Sequence, residues 1–177
     1  MEDNSINRVT TRDTGIRYGM IYGVINIVYF LIFDLADLDM SQGIGRWGIT
    51  LLALPLIFLA HKYYKENGDG FMSFGQGVGI GFWTGLVSSV VSSIFTFIYL
   101  TFINDNFIAK TRDKAIEDMQ AKGQSEEQIE MAMKFVDMFM SPWAMLIMGI
   151  IFGTIILVVL SLIISIFTQK PRPEQLG

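Results

Sequence analysis

The sequence predicts an all-α membrane protein: a polytopic helical bundle with four transmembrane helices and an extramembrane helical insertion between the third and fourth. Of 177 residues, 51% are apolar and 17% are charged, whereas a soluble domain carries roughly 25% charged residues. Residues 18–33, 47–61, 70–104 and 138–169 contain no Lys, Arg, Asp or Glu. Because about 20 apolar helical residues cross the hydrocarbon of a bilayer, these runs exclude a water-soluble single domain.

The runs divide the chain into five segments. We expect transmembrane helices near residues 15–34, 44–61, 74–103 and 142–168. Pro55 predicts a kink in the second of these helices, and Ser141-Pro142 predicts the N-cap and first residue of the fourth. The predicted segments are a cytoplasmic tail (1–14), the first three transmembrane helices (15–103), an outward-facing amphipathic helical insertion (104–141), the fourth transmembrane helix (142–168) and a second cytoplasmic tail (169–177).

The distribution of Lys and Arg predicts the orientation. One side of the predicted bundle carries Arg8, Arg12, Arg17, Lys62, Lys65, Lys170 and Arg172. The short connection on the other side carries Arg46, beside Asp34, Asp37 and Asp39. Since basic residues concentrate in cytoplasmic loops, we expect a multi-pass membrane protein with both termini in the cytoplasm.

Small residues recur at intervals of four within three of the predicted transmembrane helices. Without a hydrophobic drive between helices in lipid, such residues allow the close backbone approach that holds helices together. We therefore expect them to pack helices within the bundle, with homo-oligomerisation through one exposed face as the alternative. They are Gly15, Gly19 and Gly23 in the first helix, Gly77, Gly81, Gly85, Ser89 and Ser93 in the third, and Gly149, Gly153, Ser161 and Ser165 in the fourth.

Few residues could support catalysis or ligand chemistry. The chain has no Cys and a single His, which excludes disulfides, thiolate sites and a multi-His metal cluster within one chain. A net charge of −4 lacks the basic surplus of nucleic-acid-binding proteins. We expect no cofactor, no metal and no nucleic-acid partner. We further expect Asn26 to hydrogen-bond between helices, with a place in a substrate path as the alternative. His61 should lie at the membrane interface, with a role as a proton relay as the alternative. The loop of Asp34, Asp37 and Asp39 should be solvated, with a divalent cation as the alternative ligand.

The insertion is predicted to contain two helices. Asn104-Asp105-Asn106 offers an N-cap for the first, which Gly123 ends, and Ser125 with Gln128 forms a capping box for the second. The second helix has an apolar face that Met131, Phe135 and Met138 widen. We expect this face to pack on the hairpin, the bundle mouth or lipid headgroups. Because methionine-rich faces suit adaptable binding surfaces, the alternative is that it is a partner-binding surface. Its main residues are Ile129, Met133, Val136, Phe139 and Met140.

Two groups of segments carry a family resemblance. Tyr64–Gly68 and Phe71–Gln76 resemble the K-E-N-G-x-x-F-I-S-F-G-Q type segment of a bacterial membrane protein family, domain of unknown function 4199. Ser125–Glu130 and Phe139–Pro142 resemble its S-E-E-Q-I-E and F-M-S-P segments. The resemblance covers nearly the whole chain and implies a four-span inner-membrane protein with a helical insertion. It supplies no activity, substrate or catalytic residue.

Three classes of function remain. The leading hypothesis is a non-enzymatic accessory or assembly subunit that presents the helical insertion to an envelope partner. The alternative is a small transporter, channel or lipid-handling protein. A membrane enzyme would need a nucleophile, an acid–base pair or a metal site, and no pairing of His61 with the aspartates of the opposite side supplies one. The expected partners are membrane lipid and either an envelope protein or a second copy of the chain.

Overall fold

The computed structural model describes residues 9–40 and 42–173 and consists, in those ranges, of six helices without a β-strand. The helices are α1 (Thr11–Leu35), α2 (Gly43–Glu66), α3 (Phe74–Phe102), α4 (Asn106–Ala121), α5 (Glu126–Phe139) and α6 (Pro142–Thr168). Helices α1, α2, α3 and α6 are long and apolar enough to span a membrane. The chain is thus an all-α, four-span membrane protein with a helical insertion. Arg8 lies outside the described residues.

Capping residues set several helix ends. Thr10 Oγ1 accepts a hydrogen bond of 3.1 Å from Asp13 N, so α1 begins at Thr11 rather than near Gly15. Ser125 and Gln128 form the predicted capping box of α5, and Ser141 Oγ accepts a hydrogen bond from Ala144 N at the start of α6. These side chains satisfy backbone N–H groups that the first helical turn leaves unpaired. Helix α2 continues through the predicted kink site, Pro55, and beyond the expected end at His61.

The helices form two compact units. Unit 1 comprises the described residues of Met1–Ser92 and Ile151–Gly177, and therefore α1, α2, most of α3 and the later part of α6. Most of its buried apolar residues fall into two clusters, one around Ile57 and one around Ile80, and Phe33 is buried outside both. The first cluster contains Tyr22, Ala53, Leu56, Ile57 and Leu157, and the second contains Ala60, Met72 and Ile80.

Tyrosine hydroxyls join α1 to α2 within unit 1. Tyr22 Oη donates a hydrogen bond of 2.7 Å to Ile49 O, and the hydroxyl of Tyr29 donates to the carbonyls of Ile44 and Gly45. Asn26, expected to bond between helices, instead donates from Nδ2 to Tyr22 O of its own helix at 2.7 Å. The carbonyl four residues earlier lies within reach of a short polar side chain, which needs no partner helix.

Unit 2 comprises Ser93–Ile150, and therefore the end of α3, the insertion helices α4 and α5, and the beginning of α6. Helices α4 and α5 pack against each other, with Gly123 in the turn between them at a φ of 73°. A positive φ is a backbone conformation that glycine adopts without a steric penalty. Arg112 Nε on α4 donates to Asp137 Oδ1 on α5 at 3.0 Å, which ties the hairpin together at its surface.

Candidate functional site

Glycines of α3 face small residues of α6. In unit 1, a Cβ atom on Gly81 would overlap Ser161 Cβ, and one on Gly77 would lie 3.1 Å from Ser165 Cβ. The roles reverse further along the helices, where Gly153 of α6 faces Ser89 of α3. Backbones this close leave no room for a larger side chain. Of the other predicted packing residues, Gly85 faces Leu157 within unit 1, and Gly149 faces Ser93 within unit 2.

The glycines of α1 lie against α3. A Cβ atom on Gly19 would lie 2.7 Å from Val87 Cβ, and one on Gly23 would lie 3.0 Å from Val91 Cβ. Gly15 approaches the carbonyl of Ile80, at 3.0 Å from its ideal Cβ position. Helix α3 therefore has α1 and α6 packed against it in unit 1, and both glycine rows contact helices of the same chain.

His61 is fully buried at the centre of a polar cluster near the end of α2, and the prediction of an interfacial residue did not include this burial. Its Nδ1 lies 2.8 Å from Thr168 Oγ1 of α6, and its Nε2 lies 3.0 Å from Gly77 O of α3. A carbonyl oxygen only accepts hydrogen bonds, so Nε2 carries a proton and donates it. In the neutral ring, Nδ1 then faces the Thr168 hydroxyl as an acceptor, and the single proton of that hydroxyl also lies within hydrogen-bond reach of Ile164 O, 2.9 Å from Oγ1. The imidazole thus links three membrane-spanning helices.

Hydroxyl groups of α6 complete the cluster. Ser161 Oγ donates to Gly77 O at 2.9 Å, and Lys65 Nζ donates to Thr168 O at 2.8 Å. Ser165 Oγ is buried without a hydrogen-bond partner. The cluster consists of the side chains of His61, Ser161, Ser165 and Thr168 with the carbonyl of Gly77, and it is called the His61 cluster below.

The His61 cluster does not have the geometry of a nucleophile–base pair. Ser161 Oγ lies 3.4 Å from His61 Nε2. However, Nε2 donates to Gly77 O and therefore has no lone pair with which to accept the serine proton. The Ser161 hydroxyl donates to the same carbonyl. The geometry supports a hydrogen-bonded joint between helices rather than nucleophilic catalysis. Within the described ranges, no group of three or more His, Cys, Asp or Glu side chains is placed to hold a metal ion.

The α2–α3 connection and the segment after α6 are joined outside the spans. Backbone bonds of 2.9 and 2.8 Å run in both directions between Met72 and Lys170. Arg172 forms an ion pair with Asp69, whose carboxylate also accepts from Phe71 N. The hydrogen bond from Phe71 N, with the bonded Arg172 guanidinium, lowers the pKa of Asp69 below its ordinary value of 3.8. Phe71, Ser73, Gln76 and Pro171 join this pair in lining an open hollow of about 350 Å³.

The predicted partner-binding face of α5 divides by burial. Ile129 and Met133 are buried, with 9% and 4% of their surface exposed. Val136 and Met140 are half-buried, and Phe139 is exposed. Ile129 and Met133 are therefore not part of a free surface. Three further apolar residues of α5, Met131, Phe135 and Met138, are exposed as well, with exposed fractions of 53%, 66% and 64%.

Sequence reasoning missed the His61 cluster, although α6 contains a signal for it. Ser161, Ser165 and Thr168 are spaced i, i+4 and i+7, which places three hydroxyls on one face of an otherwise apolar helix. Ser161 and Ser165 also fit the small-residue spacing of α6, which uses their small size but not their hydroxyl groups. Polar groups buried in a membrane require hydrogen-bonding partners, and His61 was an available partner elsewhere in the sequence.

Comparison with known proteins places the chain in a family. No curated protein matches the chain, and no solved structure matches it. The model of the family described as "Protein of unknown function (DUF4199)" matches residues 17–170. That range contains the complete His61 cluster and the whole α4–α5 insertion. Because the match covers most of the chain, this protein belongs to the DUF4199 family.

Proposed function

We propose that the protein is a non-enzymatic accessory or assembly subunit of the bacterial inner membrane, and that its α4–α5 hairpin binds another envelope protein. The observation that carries the proposal is the exposed row of Met131, Phe135 and Met138 on α5. Burial of one large apolar side chain contributes roughly 1.5–3 kcal/mol. Covering this row therefore provides a substantial drive for association.

The arrangement of α5 supports an apolar surface wider than its hairpin covers. Successive residues of a helix are rotated by about 100° about its axis. Ile129 and Met133 therefore lie on one side of α5. The exposed residues lie roughly on the opposite side, namely Met131, Phe135 and Met138. Helix α4 packs against α5. A single neighbouring helix covers one side of α5 and leaves the other side uncovered. Flexible Met side chains beside an aromatic ring are common at protein-binding surfaces. An envelope protein with an apolar groove is the partner whose chemistry fits this row.

We also propose that both termini lie in the cytoplasm, which puts the hairpin on the outer side of the membrane. Arg12, Arg17, Lys62, Lys65, Lys170 and Arg172 all lie at the end where α1 and α3 begin and α2 and α6 end. Basic residues favour the cytoplasmic side. A reporter fused after Leu176, which lies outside the described residues, should be active only in the cytoplasm. Activity outside the cell would overturn this orientation.

Site-specific crosslinking in native membranes tests the hairpin proposal. A photo-reactive phenylalanine analogue at position 135 should give one discrete protein adduct. The same analogue at position 134 should give little, because Lys134 lies on the polar side of α5 and pairs with Glu130 at 3.0 Å. Phe135→Glu should abolish recovery of the adduct partner in mild detergent.

The experiment distinguishes three molecules that could cover the exposed row: an envelope protein, phospholipid and a second copy of the chain. A defined protein band from position 135 that is absent from position 134 supports an accessory subunit. Adducts with phospholipid alone would show that the row rests in the headgroup region and would overturn the proposal. Adducts with a second copy of the chain would replace the envelope partner with a homo-oligomer and would likewise overturn it.

The second candidate is a small transporter, channel or lipid-handling protein. The observation that favours it is a set of three buried hydroxyls without hydrogen-bond partners in unit 1: Ser165 of the His61 cluster, and Thr14 and Thr84. Polar groups inside a membrane bundle commonly mark a path for solutes or ions. Reconstituted vesicles that move a neutral solute or a labelled lipid, with loss of transport in Thr84→Val, would favour this candidate over the accessory subunit.

A further inference from the structure

Four helix ends meet at one end of unit 1, which is called the basic end below. It contains the beginnings of α1 and α3 and the ends of α2 and α6. Arg17 Nη1 of α1 donates a hydrogen bond of 2.8 Å to the Tyr63 hydroxyl of α2. The backbone bonds between Met72 and Lys170 join the approach to α3 with the residues that follow α6.

The cations of the basic end are only partly neutralised by protein carboxylates. Lys62 pairs with Glu66 at 3.7 Å, and Arg172 pairs with Asp69. Arg12, Arg17 and Lys170 form no ion pair with a carboxylate of the described residues. Each lies instead over an aromatic ring: Arg12 is 5.3 Å from the Trp83 ring centre, Arg17 is 4.6 Å from that of Tyr63, and Lys170 is 5.3 Å from that of Phe71.

The guanidinium of Arg17 is held in a position that suits a phosphate ligand. Its hydrogen bond and its stacking on Tyr63 fix the group while using one of its five N–H donors. Arg17 lies inside the span, within a helix that begins at Thr11, and its side chain reaches Tyr63 near the end of α2. Arginine and tyrosine at a helix end lie at the depth of lipid headgroups. The remaining N–H groups can bind two phosphate oxygens together.

We propose that Arg17 with Tyr63, and Arg12 with Trp83, bind the headgroup phosphates of anionic phospholipids at the basic end. Charge complementarity identifies the occupant. Arg12 and Arg17 have no carboxylate partner among the residues that the structure describes, they belong to a membrane-spanning helix, and anionic lipid is the abundant anion at that depth. Exposed apolar side chains such as Phe82 on α3 offer contact to the acyl chains. The proposal stands independently of what the α4–α5 hairpin binds.

Lipid binding to the purified full chain tests the proposal. Native mass spectrometry would count phosphatidylglycerol and phosphatidylcholine molecules retained in detergent, and a thermal melt would measure the stabilisation by each lipid. We expect retention of phosphatidylglycerol to exceed that of phosphatidylcholine. Arg17→Gln and Arg12→Gln should each weaken phosphatidylglycerol binding roughly fivefold. Arg46→Gln is the matched control, because Arg46 also stacks on a tryptophan, Trp47 at 5.3 Å, but lies at the beginning of α2.

Tyr63→Phe separates lipid binding from a structural role of Arg17. This variant removes the hydrogen bond to Arg17 and keeps both the charge and the ring, so the preference for phosphatidylglycerol should persist. If Tyr63→Phe lost that preference as fully as Arg17→Gln, the role of Arg17 would be structural and the proposal wrong. Equal retention of the two lipids, or an unchanged affinity in the Arg12→Gln/Arg17→Gln double variant, would also overturn it. Stabilisation by inorganic phosphate equal to that by phosphatidylglycerol would identify a free anion instead.

Discussion

His61 and Thr168 lie 107 residues apart in sequence and share a hydrogen bond of 2.8 Å between Nδ1 and Oγ1 in unit 1. The contact closes the interface between the end of α2 and the end of α6. The carbonyl of Gly77 accepts a hydrogen bond from His61 Nε2, which connects α3 to the same contact. Without a larger side chain on Gly77, the ring approaches the α3 backbone directly; a Cβ atom there would lie 3.3 Å from His61 Cε1.

Removal of the imidazole should destabilise the bundle. We expect His61→Ala to lower the free energy of unfolding by about 2–4 kcal/mol, because it leaves buried polar groups unpaired and opens a cavity. A double-mutant cycle with Thr168→Val should give a coupling of about 1 kcal/mol, the scale of hydrogen bonds inside membrane proteins. Unfolding in mixed detergent measures both quantities.

Thr101→Val is the control for His61→Ala, because the Thr101 hydroxyl is exposed and bonds within its own helix. If Thr101→Val lowered the free energy of unfolding as much as His61→Ala, the His61 cluster would have no specific role in stability.

Two glycines of α3 provide a matched test of close packing. Gly81→Ala should lower the melting temperature in detergent by several degrees, because its new Cβ atom would overlap Ser161. Gly79→Ala should leave the temperature unchanged or raise it, since Thr11 is 3.9 Å from the new atom and alanine favours a helix by about 1 kcal/mol. Equal losses in both variants would contradict the assignment of Gly81 to the contact with α6.

The sequence predicted the elements of the fold well because each leaves a local signal. Uncharged apolar runs indicate spans, and the Ser125–Gln128 capping box marks the beginning of α5. The spacing of Gly77 and Gly81 indicates a close helix contact. Such spacing cannot identify the partner helix, because every small-residue face is compatible with every other.

The His61 cluster was not predicted because its members come from three helices. His61 lies beside Lys62 near the end of an apolar run, and this local pattern is typical of an interfacial residue. Its burial results from the convergence of α3 and α6, which Gly77 and Ser161 permit. The burial of a side chain in a bundle depends on which helices surround it. A single sequence does not determine that arrangement.

Acidification should loosen the joint between the α2–α3 connection and the segment after α6. A carboxyl group whose pKa is lowered in the folded protein stabilises the fold while ionised, and that contribution is lost as the pH falls through the lowered pKa. The stabilisation by ionised Asp69 is therefore complete at neutral pH. It is lost at pH values below 3.8, the ordinary pKa, as the pH falls through the lowered pKa of the folded protein. At neutral pH, Asp69→Asn should therefore speed hydrogen exchange at the Met72 and Lys170 amides. Glu66→Gln, which removes the pairing with Lys62, should not.

The two apolar rows of α5 should respond differently to a charge. Met133 is buried, so Met133→Glu would place a carboxylate among apolar groups, which costs several kcal/mol unless the helix undocks. We expect this variant to speed hydrogen exchange across Ile129 to Phe139. Met131→Glu adds its charge at an exposed position and should leave exchange unchanged. Glu130→Gln should also have little effect, because the pair with Lys134 is exposed to solvent. Rapid exchange across this segment in the unmodified protein would show that α5 is not packed against the rest of the protein. The comparison of Met131→Glu with Met133→Glu would then no longer distinguish exposed from buried residues of α5.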